Sequence, residues 1–189
     1  GGAEEEDKER ILRYFRQVER GLQEVLHNEQ APMVLAGVDY LHPLYRQVNT
    51  YPYPVEGSVA GNPDTLKPIE PHARAWVNVQ LVFMREREEA ITRYNQLAST
   101  DRASNQIDVI IPAAHYGRVE TLLVDCSVTQ WGCFNPEANT IALHEKLQPG
   151  DEDLVDLAAT HTLLNSGDVY ALHTDSMPGQ AAVAAAFRH

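Results

Sequence analysis

Apolar positions in the first half of the chain predict one amphipathic helix followed by a buried strand. Five apolar residues recur at steps of four and three: Ile11, Phe15, Val18, Leu22 and Val25. This spacing places them on one face of a helix over residues 4–27. The continuous apolar run at residues 33–38 is typical of a strand covered on both faces. A short helix over residues 39–48 is expected to follow it.

The segment over residues 49–71 is rich in proline, which removes backbone donors and interrupts helices. We therefore expect an extended loop or a ragged edge segment there. A long helix is predicted over residues 72–99, with a charged and solvated face in its middle. Because the alternation of helices and strands starts afresh after this helix, we place a domain junction near residue 80.

In the second half of the chain, strand patterns alternate with helical ones. Ser104 is expected to cap a helix over residues 105–116, and Gly117 to end it in a left-handed conformation. A later helix is expected to begin at a capping Asp151. Strands are predicted at residues 119–124, 131–134, 140–144, 169–173 and 183–188. The whole pattern predicts an α/β fold with two α/β/α-type domains, residues 1–80 and residues 81–189.

The charge of the chain argues against two classes of partner. A formal net charge of −12 repels phosphate, so we expect no direct nucleic-acid binding by this chain. No apolar run approaches the length that crosses a bilayer, so no membrane partner is expected and a cytoplasmic location is favoured. The chain begins Gly1-Gly2-Ala3 without methionine, and we expect it to be a piece of a longer protein.

Residues with catalytic or metal-binding chemistry give no strong motif. Cys126 and Cys133 are too few for a disulfide framework or an all-cysteine zinc site, and we interpret them as reduced, half-buried thiols. The histidines do not pair at ligand spacing, so neither a metal nor a cofactor is expected. Asp39, His42 and Tyr45, three residues apart, could line one helix face for proton transfer. An aspartate at a helix start and an exposed histidine explain that pattern equally well.

Three stretches of the sequence resemble a known family. Residues 117–124 (GRVETLLV) match a turn of the form G-A-V-E-x-L-L-I, and residues 182–189 match a closing strand of the form G-G-I-x-A-I-L-R-Y. The run MVLAGVDYLHPLY and the proline-rich segment after it resemble a middle domain of the same proteins. The chain therefore resembles the bacterial branch of the archaeo-eukaryotic release factor and Pelota superfamily, with part of the middle domain followed by the third domain. The resemblance implies that the second domain has the fold of kink-turn-binding ribosomal proteins.

The resemblance also implies a function in translation. Release factors carry a Gly-Gly-Gln tripeptide that places water on peptidyl-tRNA, and this chain contains only Pro178-Gly179-Gln180, in the wrong domain. We therefore expect no enzymatic activity from it. The interpretation is a non-catalytic binding or adaptor role in ribosome rescue or hibernation, with the ribosome or a translational GTPase as partner. The alternatives are a hydrolase acting on peptidyl-tRNA or RNA, and an RNA-binding module of the kink-turn type.

Two sets of residues are candidates for these roles. Trp131 and Phe134 lie beside a predicted hairpin turn, where aromatic side chains can anchor a protein partner. Packing against the neighbouring helix would explain them too. For the hydrolase alternative, Asn49, Tyr51 and Asp64 of the proline-rich segment are the candidates, because long loops in compact domains are often functional.

Overall fold

The computed structural model describes residues 2–61 and 69–188, and packing divides the chain into two units, Gly1–Arg85 (unit 1) and Glu86–His189 (unit 2). The predicted assignment of residues 1–80 to a middle domain and 81–189 to a third domain stays a prediction. No helix among the described residues is long and apolar enough to cross a membrane.

Unit 1 is built from helices around a small parallel sheet. Its elements are α1 (Gly2–Val25), β1 (Met33–Gly37), a 3-10 turn (Asp39–Leu41), α2 (His42–Arg46), β2 (Pro54–Ala60) and the first part of α3 (Ile69–Leu97), which continues into unit 2. β1 and β2 pair in parallel. The interior is formed by Leu12, Tyr45, Val55 and Val59, each less than a tenth exposed. Tyr45 packs edge-on against Phe15, with ring centroids 5.4 Å apart.

One prediction for unit 1 holds in only one of its two forms, and another is wrong. The proline-rich segment is not only a loop but contains the edge strand β2, because Pro54 stands at its first position, where no ladder donor is required, and Val55 and Val59 turn to the interior. The segment predicted as a doubly covered strand, β1, has no fully buried residue. Its only strand neighbour among the described residues is β2, so apolar character here does not mean burial on both faces.

Unit 2 contains a four-stranded sheet and a separate three-stranded one. Its elements are β3 (Ala103–Ser104), α4 (Ile107–His115), β4 (Val119–Asp125), β5 (Trp131–Asn135), β6 (Thr140–His144), β7 (Glu152–Asp153), α5 (Leu154–Leu164), β8 (Asp168–Leu172), 3-10 turns (Thr174–Ser176 and Pro178–Gln180) and β9 (Val183–Phe187). The large sheet has the order β3-β9-β4-β8, with β4 parallel to β8 and antiparallel to β9. The small sheet has the order β6-β5-β7 and is antiparallel.

Helices cover both faces of the large sheet. Leu122 on β4 belongs to a core with α4 and α5, whereas its neighbour Leu123 points to the other face, against Ala90 and Tyr94 of α3. Successive residues of a strand face opposite sides, so the apolar run at residues 122–124 of β4 fits a strand between two helical layers. The predicted three-layer α/β/α fold of this part of the chain is confirmed.

Gly117 turns the chain from α4 into β4 without a loop. Its φ is +70°, its N–H donates to the Ala114 carbonyl at 3.0 Å, and the Arg118 N–H donates to the Ala113 carbonyl at 2.8 Å. This pair of bonds is a Schellman motif, which satisfies carbonyls at the helix end. The prediction of a left-handed helix end at Gly117 is confirmed.

The predicted helix caps and cysteine environments need correction. Gln106, not Ser104, is the N-cap of α4, and Ser104 instead lies in β3 and accepts the Gln106 N–H at 3.1 Å. Asp153, not Asp151, caps α5 and accepts the Val155 N–H at 3.0 Å, because pairing of β7 with β5 delays the helix start. The two cysteines are free as predicted, but both are exposed.

Candidate functional site

The polar ends of three strands meet at one edge of the large sheet in unit 2. β4 and β8 are parallel, and β3 runs in the same direction because both β3 and β4 pair antiparallel with β9. We call the carboxyl ends of these three strands, together with the segments that follow them, the loop face. It comprises residues 104–108, 125–130 and 173–181. Ligands of α/β sheets commonly bind at the carboxyl ends of parallel strands.

A buried aspartate organises the centre of the loop face. Asp125 is 1% exposed, and its Oδ1 accepts the Ser127 N–H at 2.9 Å and the Ser127 hydroxyl at 2.6 Å. The Ser127 and Thr174 hydroxyl oxygens lie 3.0 Å apart. Hydrogen bonds from Ser127 and Thr174 hold the pKa of Asp125 below its ordinary value, against the opposing effect of burial and with a smaller contribution from His173. The carboxylate therefore stays ionised and ties the end of β4 to the segment after β8.

A polar cleft of about 450 Å³ is lined in part by two segments of the loop face. One side is formed by Tyr94 and Asn95 of α3, and the other by Ser104–Gln106 with Pro178 and Gly179. Gly179 and Gln180 have φ values of +61° and +53°, so the backbone here follows a turn that few side chains adopt readily. The tripeptide Pro178-Gly179-Gln180 thus belongs to the loop face of unit 2.

The loop face has no lysine or arginine. The ionisable side chains of its segments are those of Asp108, Asp125, Asp175, His173 and Cys126. Proteins that bind RNA or DNA obtain most of their affinity from lysine and arginine contacts to phosphate. This edge of the sheet therefore lacks the two side-chain types that supply most of that affinity.

The predicted partner-binding aromatics lie in the small sheet. Phe134 packs against the core under α4, and its ring is 5.4 Å from that of His115. Trp131 pairs with His144 on one side and Asp153 on the other, and it is partly buried. The Phe134 ring therefore has intramolecular contacts, and the role of both aromatic residues in binding a partner stays a prediction.

Two histidines that the sequence separates by 46 residues meet between α4 and α5. The rings of His115 and His161 lie 4.9 Å apart in an edge-to-face arrangement. Burial, and then the proximity of His115, lower the pKa of His161. Sequence spacing on one helix could not reveal this pair, because its members belong to different helices. Among the described residues, no group of three or more His, Cys, Asp or Glu side chains could hold a metal ion.

The hydrolase candidates in unit 1 are engaged in local structure. The Tyr51 hydroxyl donates to the Ala31 carbonyl at 2.7 Å, and the Asn49 side-chain amide donates to the Tyr51 carbonyl at 3.0 Å. The Asn49 Oδ1 is buried without a hydrogen-bond partner. Asp64 lies outside the described residues. The proposed role of these three residues stays a prediction.

Glu19 is a buried carboxylate that the sequence interpretation missed. It is 5% exposed, and it accepts the Tyr45 hydroxyl at 2.7 Å, the Thr50 N–H at 2.8 Å and the Thr50 hydroxyl at 2.6 Å. The trio of Asp39, His42 and Tyr45 is not one hydrogen-bonded set. Asp39 is exposed in the 3-10 turn, the His42 Nε2 is buried without a partner, and Tyr45 bonds to Glu19 instead.

Comparison with known families identifies the wider group. The sequence profile of bacterial archaeo-eukaryotic release factor family 3 matches residues 1–118. The chain belongs to this family. The kinship inferred from the sequence is thereby confirmed, and membership in a release-factor family supports a role related to translation. A comparison with curated proteins gives no significant match.

The chain is similar to solved structures of archaeal Pelota. A model of ribosome-bound archaeal Pelota with ABCE1 matches with a TM-score of 0.60 and 16% identity, over 94% of this chain and 49% of that chain. Pelota of Archaeoglobus fulgidus matches with a TM-score of 0.41 and 22% identity, over 93% of this chain and 53% of that chain. This chain therefore spans about half the length of the Pelota chains that it resembles.

Proposed function

We propose that this chain is a non-catalytic binding part of a release-factor-like protein that acts in ribosome rescue or hibernation. The observation that supports this most is family membership together with a fold shared, over 94% of the chain, with a Pelota bound to the ribosome. The proposed partner is the ribosome or a translational GTPase. Pelota in that complex is accompanied by ABCE1, which fits a role in an assembly on the ribosome.

The proposal assigns no peptide release to this chain. Hydrolysis of peptidyl-tRNA in release factors depends on a Gly-Gly-Gln tripeptide, and the residues here are Pro178-Gly179-Gln180. Proline fixes φ near −65° at the position where the family's first glycine leaves the backbone free. The tripeptide also lies on the loop face of unit 2, where it forms the second of two 3-10 turns.

The charge of the loop face favours a protein surface over ribosomal RNA as its contact. The face carries three aspartates and no lysine or arginine, and the whole chain has a net charge of −12. A surface of this kind attracts basic protein side chains and repels phosphate. We therefore propose that the loop face meets a basic patch of a protein on the ribosome.

Cosedimentation with purified ribosomes tests both parts of the proposal. We expect the chain to pellet with ribosomes, and Asp175→Lys, an exposed change on the loop face, to weaken binding by about tenfold. Glu137→Lys changes the charge equally at an exposed hairpin turn and is expected to leave binding unchanged. Failure of the wild-type chain to pellet would overturn the ribosome hypothesis. Tighter, more salt-sensitive binding of Asp175→Lys would instead show that the face contacts RNA.

A further inference from the structure

A thiol and an imidazole stand side by side at the loop face. Cys126 follows β4 and His173 follows β8, and the parallel register that pairs Asp125 with Leu172 makes them neighbours. The Cys126 N–H donates to the Leu172 carbonyl at 3.0 Å, which fixes the backbone of the cysteine. The Cys126 Sγ lies 3.9 Å from the His173 Nδ1. Both side chains are exposed, so a small reagent can reach the sulfur.

An acidic side chain lies beside the pair. Asp125 is the last residue of β4, directly before Cys126, and its carboxylate interacts electrostatically with His173. The next acidic residue along the loop face is Asp175. The loop face has no lysine or arginine that could interact with Asp125 in place of His173.

We propose that Cys126 is a thiol modification site, at which His173 assists attack of the sulfur on a low-molecular-weight disulfide. The imidazole takes the thiol proton, and the sulfur attacks one sulfur of the disulfide. A mixed disulfide forms at Cys126, the original S–S bond breaks, and the departing thiolate takes the proton from His173. One free thiol is released for each one consumed, so the exchange is balanced and a second thiol can reverse it.

The second cysteine of the chain provides an internal comparison. Cys133 is also free and exposed, but it lies within β5 opposite Ala142, and no imidazole of the described residues forms a hydrogen bond with its sulfur. Exposure alone would make the two thiols react at similar rates. Proton transfer to His173 makes Cys126 the faster one, because the thiolate is the nucleophile in disulfide exchange.

Thiol reactivity of the intact chain tests the proposal without any ribosome, so its outcome is independent of the proposed function. Cys133→Ser leaves only Cys126 and Cys126→Ser leaves only Cys133, and each is treated with oxidised glutathione and followed by intact mass. We expect Cys126 to react about tenfold faster near neutral pH. Adding His173→Gln to Cys133→Ser should remove that advantage, whereas adding His27→Gln, an exposed histidine of unit 1, should not.

Chemical rescue separates proton transfer from a structural effect of the histidine. In the Cys133→Ser background, His173→Gly should react slowly, and free imidazole should restore its rate while leaving the rate of Cys126→Ser unchanged. Circular dichroism checks that each variant is folded. Equal rates at the two cysteines, or a rate at Cys126 that does not depend on His173, would overturn the proposal.

Discussion

Replacing Tyr45 by Phe removes one hydroxyl from the interior of unit 1 and leaves the aromatic ring in place. The ring packs edge-on against Phe15, and phenylalanine preserves this contact. What is lost is the 2.7 Å hydrogen bond from the Tyr45 hydroxyl to Glu19 Oε2. Glu19 keeps its two bonds from Thr50, both to Oε1, so Oε2 loses the donor that the structure gives it.

The size of the effect follows from the charge and burial of the acceptor. A hydrogen bond to a charged group contributes about 1.5–3 kcal/mol to stability, and water cannot readily replace the hydroxyl beside a carboxylate that is 5% exposed. We expect Tyr45→Phe to lower the free energy of unfolding of unit 1 by about 2 kcal/mol near neutral pH. Burial together with the Glu19 contact raises the pKa of Tyr45, so its hydroxyl is a proton donor at every relevant pH.

The effect should depend on pH in a defined direction. Burial raises the pKa of Glu19, but the hydrogen bonds from Thr50 and Tyr45 outweigh it, and the folded pKa lies below the ordinary value of 4.5. A carboxylate of lowered pKa stabilises the fold above pH 4.5, and this contribution is lost as the pH falls through the folded pKa. The difference between Tyr45→Phe and the wild type should therefore narrow in that acidic range.

The two tryptophans of the chain make it possible to follow unit 1 separately. Trp76 lies in unit 1 and Trp131 in unit 2, so urea unfolding is followed by Trp76 fluorescence in a Trp131→Phe background. Tyr40→Phe is the matched control, because Tyr40 is 64% exposed. An unfolding midpoint for Tyr45→Phe equal to that of the wild type, or a Tyr40→Phe effect of the same size, would refute the reasoning.

Three further predictions concern stability and use the same fluorescence measurement, with Trp76→Phe isolating unit 2. Gly132→Ala places a Cβ against the Ala142 carbonyl and within 2.7 Å of Leu154 Cδ1, and should destabilise unit 2 by about 2–3 kcal/mol. The control Gly21→Ala, in open space on α1 of unit 1, is followed by Trp76 in the Trp131→Phe background and should be neutral or stabilising. Asp153→Ala removes the cap on the Val155 N–H and should lower the free energy of unfolding of unit 2 by about 1 kcal/mol. Asp153→Ser should restore most of this loss, because serine can also cap the helix. Because the pKa of His161 is lowered, its contribution to the stability of unit 2 should be complete above pH 6.5 and should be lost as the pH falls through the folded pKa. The loss should be less steep in His115→Gln, because His115 contributes to the lowering of that pKa.

Much of unit 2 could be predicted from its sequence because local and global preferences agree there. The apolar run of β4, the left-handed glycine after α4 and the alternation of strands with helices all favour the same three-layer arrangement. In unit 1 the local and the global preferences conflict. Proline density favours a loop over the region of β2, but Pro54 occupies a strand position that needs no donor, and burial of Val55 and Val59 outweighs the local preference.

The side-chain clusters could not be predicted because their members are distant in the sequence. Glu19 and Tyr45 are 26 residues apart, and Cys126 and His173 are 47 apart. A signal nevertheless existed for the second pair. One polar triplet, Asp125-Cys126-Ser127, directly follows a predicted strand, and another, His173-Thr174-Asp175, begins at the last residue of a second one. The carboxyl ends of neighbouring parallel strands lie side by side. What the sequence left open was whether these two strands are neighbours.

The two edges of the large sheet in unit 2 differ in how their polar groups are used. At the edge opposite the loop face, the Arg188 guanidinium donates to the carbonyls of Gly117, Asn165 and Ser166, and the Asn165 side chain donates to the Ala114 carbonyl. Backbone acceptors at that edge are thus occupied by the chain's own donors. The loop face instead combines an exposed thiol, an exposed imidazole, one ionised aspartate and a polar cleft. Because the thiol and the imidazole are exposed, a ligand can reach them, and this is the edge of unit 2 to which the proposed function assigns recognition.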